Sequence, residues 1–263
     1  MALTKTVKLI IIISSVIVGT VAIVTPTTLY FINNQTETIN FTLLYNAGVM
    51  IEVDDIRIYI DPIELPYSTY YNLKADLILI THDHSDHYQE STINFLVKDD
   101  TLCVFPEIMS SAIATYDGMG VNPGDSFLLG DINITCFYMY TFAPEGYEPS
   151  HPPEANYTSY IINIDGFTFF HAGDSANLFE YFQIRDTIDV ALLPLGPGCQ
   201  TMADMDVVYA INRIKPDYMI PIHYAEGTDI QFCAVYGNAI SNCGCELIHL
   251  AYFESVQFNV TIS

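Results

Sequence analysis

The strongest constraint on how this chain folds is a cluster of histidines and aspartates directly after an apolar segment. Residues 75–81 read ADLILIT, a continuous apolar run that predicts a strand buried on both faces. The residues that follow are His82, Asp83, His84, Ser85, Asp86 and His87. Surface decoration does not explain three imidazoles in one loop, because the chain has only seven histidines. Imidazole and carboxylate together predict a metal site, for zinc first and for iron or manganese as alternatives.

The spacing within this loop directs the side chains toward two neighbouring positions. His82 and His84 are two residues apart, so along an extended segment both rings point the same way. Asp86 and His87 follow where the chain turns into a helix-like stretch, and they can face a second position nearby. The loop alone therefore indicates more than one metal position.

Beyond this loop, strand-like and helix-like segments alternate. Short apolar runs within residues 41–60 indicate an antiparallel meander, and Asp165-Gly166 is a strong two-residue hairpin signal. His171 and His223 also lie directly after apolar strand-like runs. This organisation predicts an α+β fold in which sheets pack together and helices lie outside them.

The composition favours one folded domain and disfavours a nucleic-acid partner. Apolar residues make up 51% of the 263, enough for a sizeable packed core. The 31 acidic and 8 basic residues give a formal net charge of -23. Such a chain repels phosphate backbones, so we expect no binding to nucleic acid.

An apolar segment near the N-terminus predicts attachment to a membrane. Residues 9–24 read LIIIISSVIVGTVAIV and follow Lys5 and Lys8. Basic residues on one flank predict a single-pass transmembrane helix with the N-terminus inside and the rest extracytoplasmic. A cleaved signal peptide followed by secretion is the competing interpretation. The predicted divisions are an anchor or signal segment (1–32), a linker (33–40) and a folded domain (41–263).

The number of cysteines is compatible with an extracytoplasmic location. Their number is six, and an even count permits disulfides outside the cell. Cys103 and Cys136 lie in apolar strand-like runs, where a buried free thiol is expected. Pairing of Cys233 with Cys243 or Cys245 is left open by the sequence.

The order of several motifs resembles that of a known enzyme superfamily. The pattern His-x-His-x-Asp-His at residues 82–87 resembles the metallo-β-lactamase superfamily of two-metal hydrolases. The further segments, in the expected order, are Ile60-Asp61-Pro62, His171-Ala172-Gly173-Asp174-Ser175, Asp189–Pro194, Thr201-Met202 and Pro221-Ile222-His223-Tyr224. The set looks most like the branch of L-ascorbate-6-phosphate lactonases and related uncharacterised hydrolases, over roughly residues 41–250. The resemblance implies a four-layer αββα sandwich, here behind the predicted transmembrane helix.

The resemblance also implies a ligand set for two metal ions, taken as zinc. The first ion would be held by His82, His84 and a third histidine, the second by Asp86, His87 and His223, and Asp174 would bridge the two. The third histidine is best matched by His151, and His171 is the rival. If His171 is not a ligand, it is a core residue that orients one.

The implied activity is hydrolysis by a hydroxide held at two metals. Asp86 would bind metal and orient that hydroxide, and Tyr224 would donate a hydrogen bond to a developing oxyanion. The loop Gly196-Pro197-Gly198 would bring backbone amides toward an anionic substrate, or it is simply a tight turn.

The expected substrate is a small-molecule ester or lactone, with a phosphodiester second. The sequence leaves two alternatives to this interpretation open. One is a membrane-lipid phosphodiesterase of the same fold, and the other is a non-catalytic metal-binding or sensory domain.

Overall fold

The computed structural model of the chain describes residues 35–262, in which fourteen strands form two seven-stranded sheets. The strands of the first sheet are β1 (Gln35–Leu43), β2 (Val49–Val53), β3 (Ile56–Ile60), β4 (Leu77–Leu79), β5 (Leu102–Pro106), β6 (Met119–Val121) and β14 (Ser255–Ile262). Those of the second are β7 (Ser126–Leu129), β8 (Ile132–Tyr138), β9 (Thr158–Ile164), β10 (Phe167–His171), β11 (Val190–Pro194), β12 (Tyr218–Ile222) and β13 (Glu246–Leu247). Their orders are β14-β1-β2-β3-β4-β5-β6 and β13-β12-β11-β10-β9-β8-β7.

The helices divide between the two sheets. The α-helices are α1 (Tyr67–Tyr70), α2 (Glu90–Leu96), α3 (Ser110–Tyr116), α4 (Asp204–Ile214) and α5 (Thr228–Asn242). Short 3-10 helices span Pro153–Ala155, Phe179–Ile184 and Gly198–Gln200. Side chains of α1, α2 and α3 pack on the first sheet, and those of α4 and α5 on the second.

Alternating side chains explain why the central strands are apolar throughout. Ile58 and Ile60 of β3 are buried between the two sheets, whereas Tyr59 faces the helices on the outer side. Ile78 of β4 packs in that same outer layer. A strand covered on both faces has no polar face, which accounts for the continuous apolar run before the histidine loop.

The core between the sheets is large and partly aromatic. The rings of Phe41 and Phe169, from opposite sheets, stack with their centroids 5.9 Å apart. Val207 and Ile211 of α4 are buried against the outer face of the second sheet. Each such side chain stabilises the fold by about 2 kcal/mol relative to an exposed one. The resulting order of layers is helices, sheet, sheet, helices.

The direction of the strands brings several loops to one edge of the sandwich. Strands β3, β4 and β5 run parallel, as do β10, β11 and β12. Residues 81–87 follow β4, residues 172–174 follow β10, and His223 follows β12. Because the carboxyl ends of parallel strands share an edge, these segments meet there.

The fold class predicted from the sequence needs correction, because it joined the sandwich to a transmembrane helix. Within residues 35–262, no helix is long and apolar enough to cross a membrane. The segment 1–32 on which the prediction rested lies outside the described residues. Over residues 35–262 the structure therefore gives an α+β fold with no membrane-spanning helix, which corrects the predicted fold class and the single-pass localisation derived from it.

The N-terminal edge of the domain also differs from expectation. Strand β1 begins at Gln35, inside the segment 33–40 that the sequence indicated as a linker. Ile39 of this strand is fully buried and lies opposite Val53 of β2 and Phe258 of β14. The folded domain therefore includes part of that segment.

The cysteines do not form disulfides in this structure. All six are free, and Cys103, Cys136 and Cys245 are buried. The pairing of Cys233 that the sequence left open is therefore not observed, whereas buried free thiols at positions 103 and 136 agree with the prediction.

Candidate metal centre

The structure brings all seven predicted metal ligands together at the shared edge of the two sheets. They form two groups, and within each group the potential ligand atoms lie within 4.8 Å of one another. The first group consists of His82, His84 and His151, and the second of Asp86, His87, Asp174 and His223.

The first group joins residues 81–87, which follow β4 and are called the β4 loop, to a distant segment of the chain. The Nε2 atoms of His82 and His151 are 3.2 Å apart, and the ring centroids of His84 and His151 are 4.7 Å apart. His151 is fully buried, and its backbone N–H donates to the hydroxyl of Thr141 at 3.0 Å. Three imidazoles from two segments thus converge on one position.

In the second group, residues of the β4 loop meet the end of β12. The Nε2 atom of His223 lies 3.3 Å from Oδ2 of Asp86, and Nε2 of His87 lies 4.0 Å from the same oxygen. The side chain of Asp86 is 46% exposed, whereas that of His87 is fully buried. Asp86 is therefore the member of this group most open to solvent.

Asp174 lies between the two groups and faces both. Its Oδ1 is 3.1 Å from Nε2 of His87 and 3.3 Å from Nε2 of His223. Its Oδ2 is 3.7 Å from Nε2 of His151 and 4.0 Å from Nε2 of His82. One carboxylate oxygen is directed to each group, which is the arrangement a bridging ligand needs.

Unsatisfied polar atoms in the cluster fit a cation. Nε2 of His87 and both carboxylate oxygens of Asp174 are buried without a hydrogen bond of good geometry. Leaving a buried polar atom unpaired costs about 1–3 kcal/mol each, so such a concentration calls for a ligand. Imidazole nitrogens and carboxylate oxygens are donors that suit zinc, iron and manganese.

A buried carboxylate behind the cluster fixes two of the histidines. Nδ1 of His87 donates to Oδ2 of Asp61 at 2.8 Å. The hydroxyl of Thr81 donates to the same oxygen at 2.6 Å and accepts from Nδ1 of His82 at 2.9 Å. Asp61 therefore sets the tautomer of both rings, so that each presents Nε2 to the metal centre.

His171 lies behind the cluster instead of in it. Its Nε2 donates to the carbonyl of Ala47 at 2.8 Å, and its Nδ1 accepts from the N–H of Gly173 at 3.1 Å. Both ring nitrogens are therefore engaged. This geometry favours His151 over His171 as the third ligand of the first group.

Gly173 lets the loop that carries Asp174 approach the β4 loop closely. Its φ is +56°, and a Cβ atom there would lie 2.6 Å from Sδ of Met139 and 3.2 Å from Cβ of Thr81. A larger residue would push the carboxylate of Asp174 away from the histidines.

The loop between β1 and β2 ties three ligand-bearing segments together. The side-chain amide of Asn46 donates to the backbone carbonyl of Asp86 at 2.9 Å. The backbone carbonyl of Asn46 accepts a hydrogen bond from the backbone N–H of His223 at 3.0 Å. The neighbouring Ala47 accepts the hydrogen bond from His171. Sequence reasoning missed Asn46, although it lies at a turn between two strands, where its φ of +59° suits asparagine.

Tyr224 differs from the role expected of it. Its hydroxyl donates to the carbonyl of Leu250 at 3.0 Å, and its ring stacks on Tyr252 with centroids 4.7 Å apart. The hydroxyl is therefore committed to the C-terminal segment, away from the metal ligands. In this structure, Tyr224 supplies a wall of the neighbouring pocket.

Burial prepares the first group to bind metal. Burial lowers the pKa of His151 to about 4, and it also lowers the pKa of His82. Both imidazoles are therefore neutral at pH 7, as a metal ligand must be.

In the second group, neighbouring residues shift the pKa values of His87 and Asp86 toward their charged forms. Burial opposes the charged form of His87, but the carboxylates of Asp174 and Asp61 outweigh it and raise its pKa. A hydrogen bond from His223 lowers the pKa of Asp86, which keeps that carboxylate ionised. A cation bound here would displace a proton from His87, since a ligating imidazole is neutral.

A pocket of about 580 Å³ opens beside His223. Its walls are mainly apolar and include Leu195, Tyr224 and Phe232. Asp204 also lines it, together with the loop of residues 196–198. A substrate in this pocket would lie against the second group of ligands.

Comparison with known proteins decides the family. The sequence model described as "Beta-lactamase superfamily domain" matches residues 40–223, more than half of the chain. The chain belongs to the beta-lactamase superfamily. A "UPF0173 metal-dependent hydrolase" of Anoxybacillus flavithermus is 30% identical over 193 residues, which cover 68% of this chain and 83% of the relative.

Solved structures show the same fold at lower identity. Igni18, described as a novel metallo hydrolase from Ignicoccus hospitalis, has a TM-score of 0.68 at 23% identity over 84% of this chain and 98% of its own. CmlA, described as a diiron β-hydroxylase from Streptomyces venezuelae, has a TM-score of 0.65 at 11% identity over 86% of this chain and 54% of its own.

The superfamily and the prediction of an enzyme are therefore confirmed. The chain is a metal-dependent hydrolase of this superfamily with a candidate metal centre. The resemblance to the lactonase branch, the choice of zinc and the roles of individual site residues stay predictions.

Proposed function

We propose that this domain uses two metal ions, with zinc as the first candidate, to hydrolyse an ester or lactone bond in a small molecule. The observation that carries the proposal is the position of Asp174, whose two carboxylate oxygens face two different groups of ligands. Two groups of imidazole and carboxylate donors that share one carboxylate are suited to a pair of metal ions a few ångströms apart.

The two groups divide the work of holding the ions. His82, His84 and His151 would hold the first ion, Asp86, His87 and His223 the second, and Asp174 both. When bound, two such ions lower the pKa of a water molecule and polarise the bond to be cleaved. The hydrogen bonds of Asp61 and Thr81 keep two of the imidazoles in the required orientation and tautomer.

Asp86 is the side chain that would orient the attacking water. Its carboxylate is half-exposed, so water and substrate can reach it, whereas Asp174 is fully buried. Its lowered pKa keeps it ionised at neutral pH. It can therefore accept a hydrogen bond from the attacking water and orient it.

The choice of zinc rests on the ligand chemistry. A set dominated by histidine, with carboxylates beside it, is typical of catalytic zinc sites. The fold alone does not decide the metal, because CmlA shares it and is described as a diiron protein. Iron is therefore the competing metal, and elemental analysis distinguishes the two.

The proposed bond type follows from the resemblance and from the pocket. The apolar walls beside His223 suit the carbon skeleton of an ester or lactone. A phosphodiester is the second candidate for the same site.

The test is a substrate panel assayed with the full chain loaded with zinc. It contains simple esters, lactones and phosphodiesters, each measured with and without a chelator. Turnover of an ester or lactone that the chelator abolishes is the expected result. Turnover of phosphodiesters alone favours the second candidate. A protein that binds two metals and turns over none of them is a binding or sensory domain.

A further inference from the structure

The charges around the pocket beside His223 restrict what can bind there. Its lining contains one carboxylate, that of Asp204, and no lysine or arginine. In the described part of the chain, the basic residues are Arg57, Lys74, Lys98, Arg185, Arg213 and Lys215. All six are bound elsewhere.

The first three basic residues lie around the start of β4. The guanidinium of Arg57 is paired with Glu52 at 2.7 Å, and Lys98 forms an ion pair with Asp76. Lys74 donates to the carbonyl of Phe95 at 2.6 Å. The histidine loop follows the other end of β4, so these cations lie at the opposite edge of the sheet.

The other three are held near the C-terminal end of α4. Arg185 donates to the carbonyl of Asn212 at 2.8 Å, and Lys215 to that of Cys243 at 3.2 Å. Arg213 donates to the carbonyl and the side chain of Asn177 at 2.7 and 2.8 Å. None of these side chains is free to meet a substrate in the pocket.

The helix ends beside the pocket do not replace the missing cations. A helix N-terminus attracts anions, and both α4 and α5 begin next to this pocket. Each already carries an acid in its first turn, Asp204 in α4 and Asp229 in α5. Asp229 is buried and paired with His249 at 2.6 Å. The positive ends of both helices are thus compensated within the chain.

The loop of residues 196–198 supplies neutral donors but no charge. The N–H of Gln200 donates to the carbonyl of Pro197 at 3.1 Å, and that of Thr201 to the carbonyl of Gly198 at 3.2 Å. The hydroxyl of Thr201 donates to the carbonyl of Gly196. Within the described residues the N–H groups of Gly196 and Gly198 form no hydrogen bond, so they can donate to a polar group of a substrate but do not replace a cation.

Asp204 is the charged group that the pocket presents to a substrate. Its side chain is half-buried, and none of the described residues forms a hydrogen bond or an ion pair with its carboxylate. A carboxylate on an apolar wall attracts cationic groups and repels anionic ones.

We propose that the substrate of this pocket is an uncharged or positively charged ester or lactone, and that Asp204 sets this preference against anionic compounds. The proposal rests on the proposed function and restricts its substrate class. It makes phosphorylated and carboxylated compounds poor substrates of this site, because the part of the substrate outside the metal centre meets no cation.

The test uses three butyrate esters that share the bond to be cleaved and differ in the charge of the alcohol. These are the cationic choline ester, its neutral isostere with 3,3-dimethylbutanol and the anionic ester of 2-hydroxyethanesulfonate. The kcat/KM of the zinc-loaded full chain is measured for each at low and high salt. We expect the choline ester to exceed the anionic ester by roughly tenfold at low salt, with a smaller ratio at high salt.

Two matched variants locate the source of the preference. Asp204→Asn removes the pocket carboxylate, and Asp206→Asn removes a charge from the same turn of α4 that does not line the pocket. We expect Asp204→Asn to lower the cation-to-anion ratio about fivefold and Asp206→Asn to leave it within twofold.

The outcomes separate the two proposals. A wild-type preference for the anionic ester overturns the charge preference and leaves the hydrolase intact. If the two variants change the cation-to-anion ratio equally, the role of Asp204 is overturned, because the net charge of the chain would then explain the preference. If Asp204→Asn does not fold, the cation-to-anion ratio of kcat/KM in the wild type and its dependence on salt decide whether the charge preference exists. Absence of turnover with all three esters and with the wider panel overturns the proposed function itself.

Discussion

The carboxylate of Asp61 accepts a hydrogen bond from Nδ1 of His87 at 2.8 Å, from a position that is fully buried behind the metal centre. This contact fixes the nitrogen with which His87 faces the candidate metal. Through the hydroxyl of Thr81, the same carboxylate also orients His82. One side chain that is not in the ligand set thus positions a ligand of each group.

Replacing Asp61 by asparagine should therefore weaken metal binding. Asp61→Asn turns an acceptor oxygen into a donor that faces His87 or the N–H of Thr81, and we expect metal affinity to fall about 10- to 100-fold. Competition with a coloured chelator measures the affinity. Asp189→Asn is the control, because Asp189 accepts two hydrogen bonds from Thr168 at the opposite edge. An equal loss in both variants would mean that Asp61 only supports the fold.

The third histidine of the first group can be identified by counting metal ions. His151→Ala should lose about one equivalent per chain, because Nε2 of His151 converges with that of His82. His171→Ala should keep two equivalents but unfold more easily, by about 1–3 kcal/mol, because it leaves the Ala47 carbonyl unpaired. The reverse pattern of metal content would assign the ligand role to His171.

Asn46, which also lines the pocket beside His223, should act on the metal centre by positioning Asp86 and His223. Asn46→Gly keeps the left-handed backbone but removes the hydrogen bond to the carbonyl of Asp86. We expect weaker binding of the second metal and a lower kcat. Asp186→Gly, also at a positive φ, is the control for added backbone freedom. Unchanged affinity for the second metal in Asn46→Gly would exclude this positioning role.

Acid should release the two metal ions in order. Below the metal-free pKa of a histidine, protons compete with the metal for its ring nitrogen. The carboxylates of Asp174 and Asp61 raise this pKa for His87, whereas burial lowers it to about 4 for His151. As pH falls, the ion of the second group should leave first. A titration of metal content should show a plateau near one equivalent. Simultaneous loss of both ions would contradict this electrostatic difference.

Much of the site could be predicted because its ligands are local in sequence. Four of the seven lie in one loop after a buried strand, and a buried strand is recognisable from its apolar run. His151 was harder to assign, since only folding brings it 3.2 Å from His82. His171 looked similar in sequence, and its two hydrogen bonds separate it from the ligands only in three dimensions.

What the sequence could not predict depends on contacts between distant segments. Asn46 acts through hydrogen bonds to residues 40 and 177 positions away, for which a single sequence carries no signal. Tyr224 follows a predicted ligand, yet its hydroxyl is taken up by Leu250. The polar residues before position 41 resembled a linker, because pairing with β14 is what makes them a strand.

The central claim is that Asp174 bridges two metal ions, and metal content measured by elemental analysis tests it most directly. Wild-type protein should carry about two zinc or iron ions per chain, and Asp174→Ala should lose both together with its activity. Circular dichroism and thermal unfolding check that the variant is folded. Retention of two ions by folded Asp174→Ala, or their absence from folded wild type, would contradict the account.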